Sequence, residues 1–420
     1  MINVIMSAYD IAVIGGGAAG MLAAAVAAER GARVLMVERN SVFGKKLRIT
    51  GKGRCNLTND CTVSDALGGV TTGARFMHSS LSGFTPSDAM QLFESLGVPL
   101  KTERGYRVFP QSDKAGDVAD ALRKYMEDSG ASVLHERASR ITAKDGRVAG
   151  IATSGAEISC GAVILATGGV SYPSTGSTGD GYMMARALGH TISPLRASLV
   201  PIEAEPEICS AMQGVTLKNV RLTISDGGQK AVYNSFGELL FTHYGLSGPL
   251  ALSASAHMRD IDTKAYYAQI DLKPALDEQK LDRRILRDFG TRANRDFSNS
   301  LGDLLVKSMI PVIVSKSGIA PETKVHSVTR EQRLALARLI KAFRLEISGL
   351  RPIEEAIVTS GGVDLREINP KTLESKIIKG LFFAGEVIDA DAYTGGFNLQ
   401  IAWSTAYAAA RSASAAFTRS

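Results

Sequence analysis

Six residues near the start of the chain, Gly15-Gly16-Gly17-Ala18-Ala19-Gly20, have the spacing GxGxxG. In a dinucleotide site each spaced glycine meets a separate requirement. Gly15 lets the chain turn sharply, Gly17 lets backbone approach a pyrophosphate, and Gly20 lets a helix pack closely on a strand. A helix opening at Ala18 and Ala19 would aim unpaired N–H groups at the phosphates. Glu38 follows about 20 residues later, at the end of an apolar run, where a carboxylate can accept hydrogen bonds from ribose hydroxyls. The blander account of Glu38 is a solvated acid at a strand end. A carboxylate there prefers a ribose without a 2′-phosphate, a condition that FAD and NAD both meet.

Such a cradle needs a strand to deliver it and a helix to leave it. Residues 9–14 (YDIAVI) are an apolar run halted by glycines, residues 18–30 are alanine-rich with Gly31 in the helix-stop position, and residues 33–38 (RVLMVE) read as a second buried strand. Together they make the βαβ element of a parallel sheet. Two later buried strands are expected: residues 162–166 (AVILA), ending in Thr167-Gly168-Gly169, and residues 380–384 (GLFFA), ending in Gly385-Glu386. Between them, residues 194–275 show short alternating runs that suit antiparallel strands, and residues 276–345 repeat charge and leucine at helical spacing.

The whole chain sets the limits. With 420 residues, 45% hydrophobic and 21% charged, it has the balance of a globular protein of two or three domains. Its net charge of +6 suits an anionic ligand, a nucleic acid or a membrane surface without choosing among them. Cys55, Cys61, Cys160 and Cys209 are too few and scattered for a disulfide framework, so free thiols in a reducing cytoplasm are expected. No zinc spacing appears, and no metal is expected. The longest apolar stretch, residues 18–28, falls short of the roughly 20 residues of a spanning helix. Residues 1–7 carry no basic n-region, so neither a membrane association nor a secretory leader is expected.

VILATGG (163–169) and GLFFAGE (380–386) resemble the later strand ends of the glutathione-reductase-type flavoproteins, where comparable segments close over an FAD. Within that superfamily the chain resembles the BaiN-like and aminoacetone-oxidase-like FAD proteins. The blocks carrying the likeness are GKKLRITGKGRCNLTN (44–59), RVFPQSDKAGDV (107–118), ATGGVSYPSTGSTGDGY (166–182), FTHYGLSGP (241–249), VTSGGV (358–363), TLESK (372–376) and FAGEVIDADAYTGGFNLQ (383–400). They run in order along nearly the whole chain. The resemblance implies an α/β fold: a Rossmann-type FAD-binding domain (1–193 and 355–420), an inserted β-barrel-like domain (194–275 and 346–354) and a small helical bundle (276–345). It also implies cofactor contacts beyond the glycine turn and Glu38. These come from Arg39, from Lys46, Gly51, Gly53, Arg54, Cys55 and Asn56, from Ala166, Thr167 and Gly168, and from Gly385, Glu386, Asp389, Gly396, Asn398 and Leu399. Glu386 stands where the superfamily commonly has aspartate, so a contact to a ribitol hydroxyl would be rearranged by one methylene.

Several residues invite catalytic or binding roles. Gly395 and Gly396 precede an expected helix at residues 398–407, whose first amides could face a flavin's pyrimidine edge and stabilise the charge of the reduced ring. The basic loop of Lys45, Lys46, Arg48, Lys52 and Arg54 is read first as a cofactor or substrate contact, then as a solvated loop, then as an RNA contact. The last is weakened by the absence of interleaved aromatics. Cys55 and Cys61 are separated by five residues rather than the four of disulfide reductases, so Cys55 is a packed thiol or a thiol near the flavin. His243, in FTHYGLSGP, and Tyr393, beside the GGF turn, are candidate acid–base groups, with structural hydrogen bonding as the alternative.

The expected activity is an FAD-dependent oxidoreductase moving a hydride between a small organic substrate, or NAD(P)H as a transient reductant, and flavin N5. No nucleic-acid partner is expected. Amines and enone-type steroids both suit the resemblance. Thr178-Gly179-Asp180-Gly181 keeps a fumarate-reductase-like flavoprotein as one alternative, and a non-catalytic flavin-bound RNA-binding or regulatory protein is another.

Overall fold

Apolar runs of β-branched residues form strands buried on both faces, and four such runs build the core of the first half of the molecule. The computed structural model describes residues 3–4, 9–227 and 230–417. Of the opening residues read for a leader, only Asn3 and Val4 are described; they pair in parallel with Ala156 and Glu157. The chain divides into two units, Met1–Ala197 with Ile353–Ser420, and Ser198–Pro352.

In the first unit, strands β1 (Tyr9–Ile14), β2 (Val34–Val37), β3 (Ser132–Leu134), β4 (Ala156–Leu165) and β5 (Leu381–Phe383) form a parallel sheet in the order β3-β2-β1-β4-β5. Ile14 lies opposite both Val37 and Leu165, and Leu165 opposite Phe383, so the four adjacent strands β2, β1, β4 and β5 end at one level. β4 begins six residues before the expected strand. Its first half pairs antiparallel with Arg147–Thr153, and one face there is less buried, so the sequence alternates instead of running apolar.

Helix α1 (Ala18–Glu29) follows β1 directly and is buried from Ala19 to Ala28. Alanine along its length lets it lie close to the sheet and to helix α3 (Phe397–Ser414). The approach is closest at two glycines. A Cβ on Gly20 would come 1.8 Å from the Gly15 carbonyl oxygen, and one on Gly15 would come 2.6 Å from that of Ala166. The run of basic residues read as a loop is instead a helical turn, α2 (Lys45–Gly53), anchored by buried Leu47 and broken where Gly51 and Lys52 both take φ of 59°.

The second unit is a closed six-stranded barrel. Its strands run in the order Ile202–Ala204, Gly245–Ser247, Ala231–Thr242, Thr216–Asp226, Tyr266–Asp271 and Phe343–Leu350, the last pairing back on the first. Helices Glu278–Gly290, Ile310–Ser317 and Arg330–Lys341 share the barrel's core, with Leu281, Ile285, Leu336 and Ile340 packed in one cluster with Phe343 and Leu345. The last barrel strand starts at Phe343, so the segment read as helical to 345 ends earlier; its alternation of apolar and charged residues is a strand's period. Among the described residues no helix is long and apolar enough to cross a membrane.

Gly20→Ala places a methyl on backbone that cannot move aside. It should destabilise the apo chain by about 1–3 kcal/mol, the range for overpacking. Gly17→Ala, with nothing within 4 Å of the added carbon, should leave the midpoint nearly unchanged. Urea unfolding of the two variants beside the parent checks the contrast; equal midpoints would refute the packing argument.

Candidate functional site

Because these four adjacent strands end together, the segments leaving them converge outside the carboxyl edge of the sheet, where open α/β folds bind ligands. The glycine turn leaves β1, Glu38 leaves β2, Ala166-Thr167-Gly168 leaves β4 and Gly385-Glu386 leaves β5. Gly17 is the N-cap of α1 and has open space where a side chain would project. The amides that follow it, in the first turn of α1, have no carbonyl inside the helix to pair with. The result is an anion cradle lined by backbone.

Glu38 is buried and bonded on both carboxylate oxygens. Oε2 accepts from the Gly16 amide at 2.6 Å, and Oε1 accepts from the backbone and side-chain amides of Asn40, each at 2.7 Å. Asn40 in turn accepts from Lys45 Nζ at 2.8 Å. The solvated-acid account of Glu38 is thereby removed. Arg39 is held away from β2 by Asp180 (3.2 Å) and the Gly176 carbonyl (2.8 Å). Arg137 clamps the same Asp180 carboxylate through two bonds of 2.8 Å and, with Thr178, holds it below the usual carboxylate range.

At the end of β5, Glu386 accepts from Lys46 Nζ at 2.7 Å, from the Thr359 amide at 2.8 Å and from Ser171 Oγ at 3.3 Å. Lys46 also donates to Ser171 at 2.6 Å. The extra methylene of glutamate is what lets this carboxylate reach the lysine and the Thr359 backbone. Thr167 Oγ1 is buried with no partner among the described residues, and a Cβ on Gly181 would lie 2.0 Å from it, so a side chain there would have to turn the hydroxyl aside.

Gly396 caps α3 in the left-handed region at φ 97°, where a Cβ would strike the Thr58 carbonyl at 2.3 Å. The Asn398 side chain closes the preceding loop, accepting from the Ala392 amide (2.9 Å) and donating to its carbonyl (2.7 Å), so only the backbone of α3's first turn is left for a ligand. Asn56, with its amide turned to suit its neighbours, accepts from the Gly396 amide at 3.0 Å and donates to the Thr58 and Val108 carbonyls. Asp389 and Leu399 are half-buried on either side of this loop.

The basic residues of the 45–54 stretch are largely committed within the protein. Arg48 pairs with Asp120, and Arg54 bonds Glu103 and Asp113 while lying 4.2 Å over the Phe109 ring. Arg54 therefore braces this segment; Lys52 alone of the five is exposed. Cys55 is likewise held inside the protein. Its thiol is fully buried and pushed up to about 12 by desolvation, so it is a packed thiol and not a thiolate near neutral pH. His243 lies exposed in the turn after Ala231–Thr242, its ring 4.8 Å from that of Tyr244. Tyr393 is half-buried with its amide on the Gly69 carbonyl (2.9 Å), and burial raises its phenol above the ordinary range. Reading the sequence missed Asn40, Ser171, Thr359 and Asp180. Ser171, Thr359 and Asp180 lie inside the matched blocks, but nothing in their spacing says what they hold.

A βαβ cradle at the edge of a parallel sheet, an acid at the second strand end and a helix N-terminus over a glycine turn fit a dinucleotide, and the family to which the chain belongs makes it an FAD-dependent oxidoreductase. The profile of the HI0933-like protein Rossmann domain matches residues 9–412. The chain belongs to this HI0933-like FAD-binding Rossmann family. It is 31% identical over 411 residues to the 3-dehydro-bile acid delta(4,6)-reductase of Clostridium scindens, covering 96% of this chain and 98% of that one. It is 30% identical over 411 residues to the ribosomal RNA dihydrouridine synthase of Escherichia coli K12, covering 97% and 98%. The fold is shared with 3-ketosteroid-delta4-(5alpha)-dehydrogenase from Rhodococcus jostii RHA1, at a TM-score of 0.51 and 16% identity over 96% of this chain and 97% of that one.

Cys55, Cys160 and Cys209 are each pushed up to about 12 by burial, from an ordinary 9.0. Groups raised on folding contribute stability that is present below their unfolded value and lost as pH rises through the folded one. Stability should therefore fall between about pH 9 and 12 more steeply than in a variant with these three cysteines replaced by alanine. Urea midpoints across that range check this, and parallel curves would refute it. A thiol dye at pH 8 should label the native chain only slowly.

Proposed function

We propose that this enzyme delivers a hydride to a carbon–carbon double bond conjugated with a carbonyl, from FAD held at the strand ends. What carries the reading is that two relatives about equally similar, matched end to end, have names describing the same change in unlike molecules: uridine to dihydrouridine, and a 3-dehydro bile acid reduced at delta(4,6). Uracil and a dienone share a double bond made electrophilic by a carbonyl.

Bound FAD supplies a hydride at N5 once a reductant has charged it. The chain's own residues do the rest. The amides after Gly17 hold the pyrophosphate, and Glu38, already fixed by Gly16 and Asn40, accepts from the adenosine ribose. Thr167, with its unpaired buried hydroxyl, and the Glu386–Lys46 pair meet the ribityl chain. The first amides of α3, left free by the Asn398 side chain, steady negative charge on the pyrimidine side. Arg39, Gly51, Gly53, Arg54 and Asn56 shape the walls, and Asp389 and Leu399 flank the α3 loop.

Hydride addition leaves an enolate whose carbon must take a proton. Tyr393 is the candidate donor, since burial keeps its phenol protonated, and its carbonyl is held by Asn398 Nδ2 at 3.3 Å. The chain has a single glycine turn of the dinucleotide type, so NAD(P)H acts transiently and shares the substrate's side of the flavin, giving ping-pong kinetics. Its four free cysteines suit a cytoplasmic setting.

The purified protein should release FAD rather than FMN on denaturation. After anaerobic bleaching by NADH or NADPH, it should recolour on mixing with a 4-en-3-one steroid or a uridine oligonucleotide. Tyr393→Phe should retain FAD and slow recolouring by roughly 10²-fold or more, the contribution of a general acid. Failure of both compounds to recolour the reduced enzyme, together with bleaching of the oxidised enzyme by an amine and its recolouring by oxygen, would make it an oxidase and overturn the reading.

A further inference from the structure

The chain's net charge of +6 is not spread over its surface. Residues 276–345 contain 14 lysines and arginines against 8 aspartates and glutamates, so this segment alone carries a net +6 and the other residues sum to zero. Local ion pairs absorb part of it: Arg333 binds Asp282, Lys341 binds Asp271, Arg284 binds Asp288, and Arg292 binds Asp303. Six cations remain exposed without an acidic partner among the described residues: Arg283, Arg295, Lys307, Arg330, Arg338 and Arg344.

Their placement is ordered. On Glu278–Gly290 the buried side chains are Leu281, Ile285 and Phe289. Lys280, Arg283 and Arg287, spaced three and four apart, fall on the opposite face, toward solvent; Lys280 pairs with Asp277 and Arg287 with Asp288, which leaves Arg283 as this helix's unpaired cation among the described residues. Arg330–Lys341 packs beside this helix, joined to it by the Arg333–Asp282 pair, and adds Arg330 and Arg338. Arg344 lies 4.0 Å over the half-buried Tyr267 ring, a planar cation on an aromatic. Fixed cations held apart by local pairs, on a rigid helical face, attract an extended polyanion more than a compact anion.

We propose that the helical face of residues 278–344 docks RNA through its phosphates. The proposal rests on the reading above, in which a uracil is one of the conjugated acceptors. It revises the expectation of no nucleic-acid partner: most cations of the 45–54 stretch are internally paired, whereas residues 278–344 leave six exposed.

The test uses the FAD-loaded full chain and a fluorescein-labelled RNA hairpin with a uridine loop. Binding should weaken steeply between about 50 and 200 mM salt. The variant Arg283→Glu/Arg330→Glu/Arg338→Glu should bind at least tenfold more weakly, with a log–log salt slope reduced by roughly 2–3, as about 0.7–0.9 per lost phosphate contact requires. Arg→Gln at the same positions should give an intermediate loss. Recolouring by the 4-en-3-one steroid should be unchanged in both variants. If neither the steroid nor a uridine oligonucleotide recolours the reduced enzyme while RNA binding shows this charge dependence, the proposed reaction falls and the surface stands. RNA binding with an unchanged salt slope in the variants would overturn the proposal. Equal or tighter binding of polyglutamate or of vesicles of phosphatidylglycerol would also overturn it, in favour of an acidic protein or a membrane.

Discussion

The close approach of α1 to the strands beneath it is the constraint on which the rest of the first unit depends. With a methyl on Gly20 lying 1.8 Å from the Gly15 oxygen, and one on Gly15 lying 2.6 Å from the Ala166 oxygen, helix, first strand and fourth strand meet through backbone alone. That contact fixes where the first-turn amides of α1 point relative to the β4 strand end. It also brings Gly385 against Ala19, where a side chain would not fit. A phosphate cradle made of backbone has no rotamers to order on binding, and so loses little entropy when a ligand arrives.

Polar groups that meet at the strand ends are paired before any ligand enters. Glu38 accepts three amide hydrogens and Glu386 accepts from an ammonium, an amide and a hydroxyl, so both carboxylates are held in one orientation at modest exposure. Such preorganisation matters because a carboxylate left to swing in a half-buried site would be solvated or protonated. The Lys46–Glu386 pair joins residues 340 apart in the chain, and neither partner's role is visible without the other.

The second unit follows a different logic. The barrel and the helices packed on it share one hydrophobic cluster, and the ion pairs Arg333–Asp282 and Lys341–Asp271 tie helices to their neighbours. Half-buried pairs of this kind set orientation more than they add stability. The charge that remains is displayed on a stiff face.

The sequence by itself determined the elements whose signal is local. GxGxxG after YDIAVI, with Glu38 at the next strand end, specified a βαβ unit, because turn geometry and a two-sided buried strand are written in consecutive residues. The alternating and helical periods likewise marked the barrel and the helices inserted between the two halves of the sheet. The matched blocks identified the flavoprotein family. Only the tertiary structure decided which charged residues are free. Lys46, Arg48 and Arg54 stand within nine positions of one another and look alike in the sequence, yet they pair with Glu386, Asp120 and Glu103, brought near by other strands and helices. Cys55 became inert and Asn398 became a loop clasp for the same reason: burial and hydrogen-bond partners are properties of segments distant in the chain, and no local spacing encodes them.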